Sequence, residues 1–366
     1  MTSEKESKYG RLEPMLAALE ALVRCESPSE DIGACRAVVA LASDIATRVL
    51  GVPAQIKEIE GRPVFWWGAE KPDVLILAHL DTVWPIGSYQ PLWEINGDVL
   101  RGPGTFDMKA GFIQALFALK GIDGSVALVA TTDEETGSHA SKALIKELSA
   151  QAKAVLVLEA SLDGKVKTGR KGTAMYQISV RGLAAHAGLE PEKGVNTTTE
   201  IAHVILKLAA LENPEHGTTV VPTLLHSGNT TNTVPDLAVL DIDARSFSQA
   251  ELERVDRDIK SFTAINPRAK IEVKGGLNRP PLQPASTQAL YERAEKVAAA
   301  LGMSPLGSAE VGGASDGNFA AAAGAQVLDG LGAIGGGAHA PNEWVSIKSM
   351  QERSDFLHAL IKDILS

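Results

Sequence analysis

Three short apolar runs set the pattern of the first half of the chain: VLILA (74–78), VALVATT (126–132) and AVLVL (154–158). Runs of this length, bounded by polar residues, predict strands buried on both faces, as in a parallel sheet. Around them the apolar positions recur at helical spacing. Segments 13–23, 34–50, 110–120 and 138–150 read as helices, the second stopped by Gly51 and the fourth N-capped by Ser138. QIKEIE and VFWW add two strand-like pieces before Val74. After Lys171 the period falls to two. AMYQISV (174–180), LAVLDIDAR (237–245) and AKIEV (269–273) alternate, with Leu240, Ile242 and Ala244 opposing Asp241, Asp243 and Arg245. Such strands belong to an antiparallel sheet wetted on one side. Helix-like segments at 194–211 and 249–265 lie between them. Beyond NRPPLQP the first texture returns, with a helix at 286–302, the segment 315–324, the strand AQVLD and a C-terminal helix.

The expected fold class is therefore α/β. Residues 1–173 and 282–366 form a domain with a mixed, mostly parallel sheet flanked by helices. Residues 174–281 are inserted as an α+β domain, one antiparallel sheet with two helices on one face. A chain of 366 residues with 45% hydrophobic content is long enough for two such cores.

Charge narrows the partners. A net charge of −10, without a Lys/Arg cluster, argues against nucleic acid and anionic membrane. The opening MTSEKESKYGRLEP is charged and lacks the apolar core of a signal peptide. No apolar run reaches the roughly 18 to 20 residues of a spanning helix. Cys25 and Cys35 are too few for a disulfide framework and read as ordinary thiols. A cytoplasmic location is the expectation.

The chemistry sits where the buried runs end. The first delivers His79 and Asp81, the second Asp133, Glu134 and Glu135, the third Glu159. RGPGTFDMKAG places Asp107 in a loop bounded by Gly and Pro. In open α/β sheets, ligands gather beyond the carboxyl ends of the strands. Residues i and i+2 of a strand share a face, so Asp81 can hold the second ring nitrogen of His79. Each residue alone has an ordinary explanation, as a core histidine or a solvated helix start. Recurrence at three strand ends points instead to a divalent-metal site, because buried carboxylates need positive charge nearby. Gly330, Gly332 and Gly335 match G-x-G-x-x-G, but a dinucleotide fingerprint must open a helix. Here GGAHAPNEW follows, with Pro341 and no helical period. The glycines are read as letting the backbone pass close behind the site and placing His339.

HLDTV, GPGTFDMKAG, TTDEETGS, Glu159, RGLAAHAG and GGGAHAPNE span nearly the whole chain in that order. Together they resemble the M20 family of zinc peptidases and amidohydrolases, most nearly its glutamate carboxypeptidase (carboxypeptidase G2-like) branch. The resemblance implies two Zn²⁺ per subunit, with Co²⁺ or Mn²⁺ able to substitute. His79 and Glu159 would hold one ion, Glu135 and His339 the other, and Asp107 would bridge them. It further implies that Asp81 orients His79, that Glu134 is the general base, and that the Asp107–Met108 peptide is cis. His186 would stabilise the oxyanion across a dimer interface in the inserted domain. Arg245, assisted by Asn232, would clamp the substrate's α-carboxylate. Lys165, and more remotely Arg279, would meet an acidic side chain, although a surface lysine explains Lys165 equally well. The implied reaction is cleavage of a small peptide or N-acyl amino acid before its C-terminal residue, with glutamate or aspartate favoured. A biosynthetic N-acyl amino acid deacylase or desuccinylase would use the same machinery. A metal-binding scaffold without turnover, opposed by Glu134, which no ligand role requires, and a nucleotide-dependent enzyme are the remaining alternatives.

Overall fold

The computed structural model describes residues 11–366. Residues 1–10 of the charged N-terminal stretch, expected not to be a signal sequence, lie outside the described residues. The chain divides into two compact units. The first runs to Gly169 and takes in Gln283–Val311 and Ser315–Ser366; the second comprises Arg170–Leu282 and Gly312–Ala314.

The first unit is built on a six-stranded sheet. Its strands are β1 (Gln55–Ile59), β2 (Arg62–Gly68), β3 (Val74–His79), β4 (Val126–Thr131), β5 (Ala154–Val157) and the short strand Val327–Leu328. Their order is β1-β2-β4-β3-β5 followed by Val327–Leu328. The last four strands in that order are parallel, and the β1–β2 hairpin joins β4 antiparallel. Every residue of β3, β4 and β5 is buried, which is why these runs are apolar without alternation. Helix Ala110–Ala118 is buried on all sides, and Phe112 meets Phe65 of β2 edge-on at 5.0 Å. Its Gly111 lies so close to the sheet that a Cβ would stand 2.2 Å from the Leu158 carbonyl oxygen. Helices Leu12–Arg24, Ile32–Leu50 and Ile347–Leu365 contribute to the same core. Gly51 ends the second of these in the left-handed region, at φ 77°.

Several expected helix boundaries move; the helix read as 249–265 ends at Lys260. The helix read from Ser138 starts at Lys142, and Ser138 itself has φ 53°. The reason is Asp133, whose carboxylate accepts the Ala140 and Ser141 N–H groups at 2.8 and 3.2 Å. The Ser138 hydroxyl donates instead to Asp316.

The second unit holds β6 (Gly172–Arg181), β7 (Thr219–Ser227), β8 (Leu237–Ser246) and β9 (Lys270–Arg279), ordered β7-β8-β6-β9 and antiparallel throughout. Ile178 and Val180 of β6 and Leu240 and Ile242 of β8 pack with Ile201 and Val204 of helix Thr197–Ala209 and with Leu252 and Val255 of helix Gln249–Lys260. Strand β7 is absent from the sequence reading. It is an edge strand carrying Pro222 and a register shift before Leu224, and its exposed Val221, Leu224 and Leu225 break the alternation. Among the described residues no helix is long and apolar enough to cross a membrane.

Phe112 is fully buried in the core of the first unit. Phe112→Ala should lower unfolding free energy by about 3–5 kcal/mol. Urea unfolding followed by far-UV circular dichroism would measure it, and a loss below about 1 kcal/mol would mean this contact is not central to the core.

Candidate metal centre

Because β3, β4 and β5 are parallel and adjacent, their C-terminal ends share one edge, and the side chains just beyond them converge. His79 closes β3. Glu134 and Glu135 open a short helical turn after β4, and Glu159 follows β5 by two residues. Asp107 comes from the turn Thr105–Lys109 ahead of the buried helix, and its peptide bond to Met108 is cis. The Met108 sulfur accepts the His79 backbone N–H at 3.3 Å, tying that turn to the strand end. His339 sits in the loop between strands Gly335–Gly336 and Trp344–Ser346, at φ 59°.

The ligand-type atoms are close. His79 Nε2 lies 3.2 Å from Asp107 Oδ1 and 3.8 Å from Glu159 Oε1. His339 Nε2 lies 3.4 Å from Asp107 Oδ2 and 2.9 Å from Glu135 Oε2. Each oxygen of Asp107 thus faces a different histidine. Donor atoms of His79, Asp107 and Glu135 fall within 4.8 Å of one another, as do those of His79, Glu134 and Glu159. Behind His79, Nδ1 stands 3.1 Å from the Asp81 carbonyl oxygen and 3.4 Å from its Oδ1. Asp81 Oδ2 accepts the Ser29 hydroxyl at 2.7 Å and the Glu135 backbone N–H at 3.2 Å. One buried carboxylate therefore fixes both a histidine and a neighbouring acid.

The electrostatics are those of a cation site. Burial pushes the His79 pKa down, but its hydrogen bonds to Asp107 and Asp81 prevail and hold it well above the ordinary value. Hydrogen bonds to Asp107 and Glu135 raise His339 to about 10. Burial opposes ionisation of Asp107, yet the two histidines keep its pKa below the usual range. For Glu135 burial wins, and its pKa rises. Carboxylates packed this closely draw protons onto both rings, and divalent ions would supply the same positive charge without protons. Two imidazoles and three carboxylates are also the right donors for zinc, cobalt or manganese. The residues fit the metal.

Three supporting residues had no role in the sequence reading. Glu343 is buried and accepts backbone N–H groups of Gly104, Phe106 and Asp107 at 3.0, 2.8 and 3.0 Å, which holds the Asp107 turn. Burial lifts its pKa to about 7. Lys109 is fully buried and donates to the Leu22 and Cys25 carbonyls at 3.0 and 3.1 Å, with its pKa lowered by burial to about 8. Ser29 supports Asp81. Glu343 and Lys109 lie inside GGGAHAPNE and GPGTFDMKAG, but a charge that serves only backbone groups leaves no pattern of its own.

The glycine reading can be seen directly. Residues 330–335 lead into a hairpin and not a helix, and a Cβ on Gly332 would stand 2.2 Å from the Leu158 oxygen and 2.8 Å from that of Glu159. Lys165 lies exposed at the end of the tight turn 162–165. His186, Asn232, Arg245 and Arg279 belong to the second unit. Exposed His186 accepts the Gly188 and Leu189 N–H groups on Nδ1, both at 3.1 Å. Asn232 is its neighbour through Ala187 N–H to Asn232 O at 2.8 Å. The Arg245 guanidinium is held bidentately by Asp243 at 2.8 and 2.9 Å and donates to Gly312 O at 3.1 Å. Arg279 is buried at the end of β9.

Carboxylates and a histidine at the C-terminal edge of a parallel sheet, joined by His339 from a hairpin loop, make a divalent-ion site of the kind metallohydrolases use. Residues 75–363 match the model of peptidase family M20/M25/M40, and the chain belongs to that family. It is 29% identical over 307 residues to carboxypeptidase G2 of Pseudomonas sp. (strain RS-16), covering 80% of this chain and 74% of that one. It is 26% identical over 317 residues to succinyl-diaminopimelate desuccinylase of Sulfurovum sp. (strain NBC37-1), covering 80% and 84%. The crystal structure of the M20 family metallo-carboxypeptidase Sso-CP2 from Sulfolobus solfataricus superposes with a TM-score of 0.74 at 19% identity, covering 96% of this chain and 99% of that one. The protein is a metallopeptidase-type hydrolase.

Ser29→Ala should weaken divalent-ion binding about 10- to 100-fold, since it removes support from the residue that orients a ligand. Titration calorimetry with Zn²⁺ would read this, and unchanged affinity would show that Asp81 is held well enough without Ser29.

Proposed function

We propose that the protein hydrolyses the amide bond joining an acyl or peptidyl group to a C-terminal amino acid, using two zinc ions. The observation that carries this reading is Asp107, whose two oxygens face His79 and His339, with buried Glu134 beside the cluster. When bound, the ions polarise the scissile carbonyl and acidify the attacking water. Glu134 takes that water's proton and delivers it to the leaving nitrogen. Asp81 keeps His79 in the tautomer that offers Nε2 to the metal side.

The second unit supplies substrate contacts in this reading. Because Nδ1 of His186 accepts two backbone N–H groups, Nε2 is the ring's donor and would suit a developing oxyanion. Asp243 holds one edge of Arg245 and the Gly312 carbonyl accepts from Nη1; the guanidinium N–H groups not used in these bonds would meet an α-carboxylate, with Asn232 assisting. Glutamate or aspartate is our first choice of leaving residue, with Lys165 as its candidate contact. Removal of a succinyl group from an amino acid is the second reading, favoured by relatives that carry the name desuccinylase. We read the protein as a cytoplasmic homodimer. Free thiols at Cys25 and Cys35 support the first point, and the apolar residues exposed along edge strand β7 support the second.

A panel of N-acyl amino acids differing only in the C-terminal residue, assayed on metal-stripped and Zn²⁺-reloaded protein, tests the reaction. Metal-dependent release of one amino acid is expected, and no release from any member would remove this function. Glu134→Gln should retain ion binding by calorimetry and lower kcat at least about 100-fold, the scale of general-base catalysis. Wild-type activity in that variant would exclude Glu134 as the base. Mixed Glu134→Gln and His186→Ala dimers should regain activity through hybrids; none, with subunit exchange verified by mass spectrometry, would exclude a shared site.

A further inference from the structure

Arg353 takes no part in the chemistry described so far. It lies on the C-terminal helix Ile347–Leu365 with 2% of its surface exposed, a place arginine seldom occupies. Burial lowers its pKa to about 10, so the guanidinium still carries its charge at neutral pH. Nε donates to the Gly332 carbonyl at 3.0 Å, Nη2 to that of Gly330 at 2.7 Å and Nη1 to that of Gly164 at 3.2 Å. A charge buried at this cost needs several hydrogen bonds to offset it. Here they go to backbone oxygens of two loops.

One of those loops supports the stretch that follows β5. The Leu158 N–H still donates to the Leu77 carbonyl at 2.9 Å, but Glu159 lies past the end of the strand. Its carbonyl accepts the Gly332 N–H at 2.9 Å. The N–H and the hydroxyl of Ser161 both donate to the Ala333 carbonyl, at 3.0 and 2.9 Å. The fit is tight, because the Leu158 oxygen is pinched between Gly111 and Gly332, and a Cβ on either would stand 2.2 Å from it. Gly111 belongs to the buried helix and is fixed by the core. Gly332 belongs to a loop, and Arg353 fastens that loop to the C-terminal helix.

We infer that Arg353 is a positioning residue. Its guanidinium seats the 330–333 loop against Leu158–Glu159 and so sets the place of the Glu159 carboxylate, whose Oε1 stands 3.8 Å from His79 Nε2. The inference rests on the two-ion reading above, in which His79 and Glu159 hold one ion and Glu135 and His339 the other. A planar fork reaches three carbonyls on two loops at once, whereas a lysine ammonium carries the same charge as a single point. The second ion is insulated from this support. His339 sits on a hairpin with pairing of its own, Gly335 against Val345 and Gly336 against Trp344.

The test is calorimetric titration of metal-stripped, full-length protein with Zn²⁺, with folding checked by circular dichroism. Glu159→Gln and His339→Ala first identify which binding step belongs to which ion. Arg353→Lys should then weaken the Glu159 step about 10- to 100-fold and leave the His339 step within about twofold. Leu360→Ala, a fully buried apolar position on the same helix, should lower the melting temperature and leave both steps unchanged. An unchanged Glu159 step in Arg353→Lys would overturn the inference, as would an equal loss in Leu360→Ala, which would reduce Arg353 to packing. If Arg353→Lys does not fold, Ser161→Ala decides, because it cuts a bond between the loop and the Glu159 stretch. It should weaken the same step, and unchanged affinity would refute the assignment. A wild-type protein that binds one ion refutes the two-ion reading without touching the inference, which then stands or falls on whether Arg353→Lys weakens that ion. A wild type that binds none removes both.

Discussion

Like charges brought together in a buried place are the constraint on which the rest of this structure depends. Asp107, Glu135 and Glu159 come from three separate stretches of chain, and nothing about their own mutual interaction favours the meeting. Hydrophobic burial on the two faces of the parallel strands drives it, since β3, β4 and β5 cannot pack without their ends arriving at one edge. The resulting negative field is then relieved by the two imidazoles and by the cations they can hold together. The core thus sets up an electrostatic problem at its rim, and the chemistry of the site answers it.

Around that rim, a layer of charged side chains serves backbone atoms and touches no substrate in any reading. Glu343 gathers three N–H groups of the Asp107 turn, and Lys109 holds two carbonyls at the end of the first helix. Asp133 stops a helix from starting early and so frees Ser138 for Asp316. Each is a charge buried at a desolvation penalty that several hydrogen bonds offset. Their common effect is a rigid frame, which matters because ligand positions a fraction of an ångström off would change ion affinity.

Specificity has a different physical origin from the metal chemistry. The cluster offers no discrimination among amides, because every one presents it with the same carbonyl. In the proposed reading discrimination falls to groups other than the metal ligands, such as Arg245 with its Asp243 brace in the second unit. Relatives with peptidase and with desuccinylase names both align with this one chain, so membership of the family does not by itself fix the substrate.

The sequence by itself determined the buried strands and the residues at their ends. A run such as VLILA has only one favourable environment, and His79, Asp81, Glu134, Glu135 and Glu159 follow such runs directly. It determined the two textures of the chain for the same reason, since periods of two and of continuous burial answer to different sheets. Only the tertiary structure decided that Asp107 turns one oxygen to each histidine, that Ser29 and Glu343 hold the frame, and that Lys165 sits in an exposed turn. It also decided that Thr219–Ser227 is an edge strand, because an edge has no second neighbour to impose alternation. Local pattern records which face of an element is buried. It does not record which distant backbone groups a buried charge will meet, and in this protein that is what sets the geometry of the site.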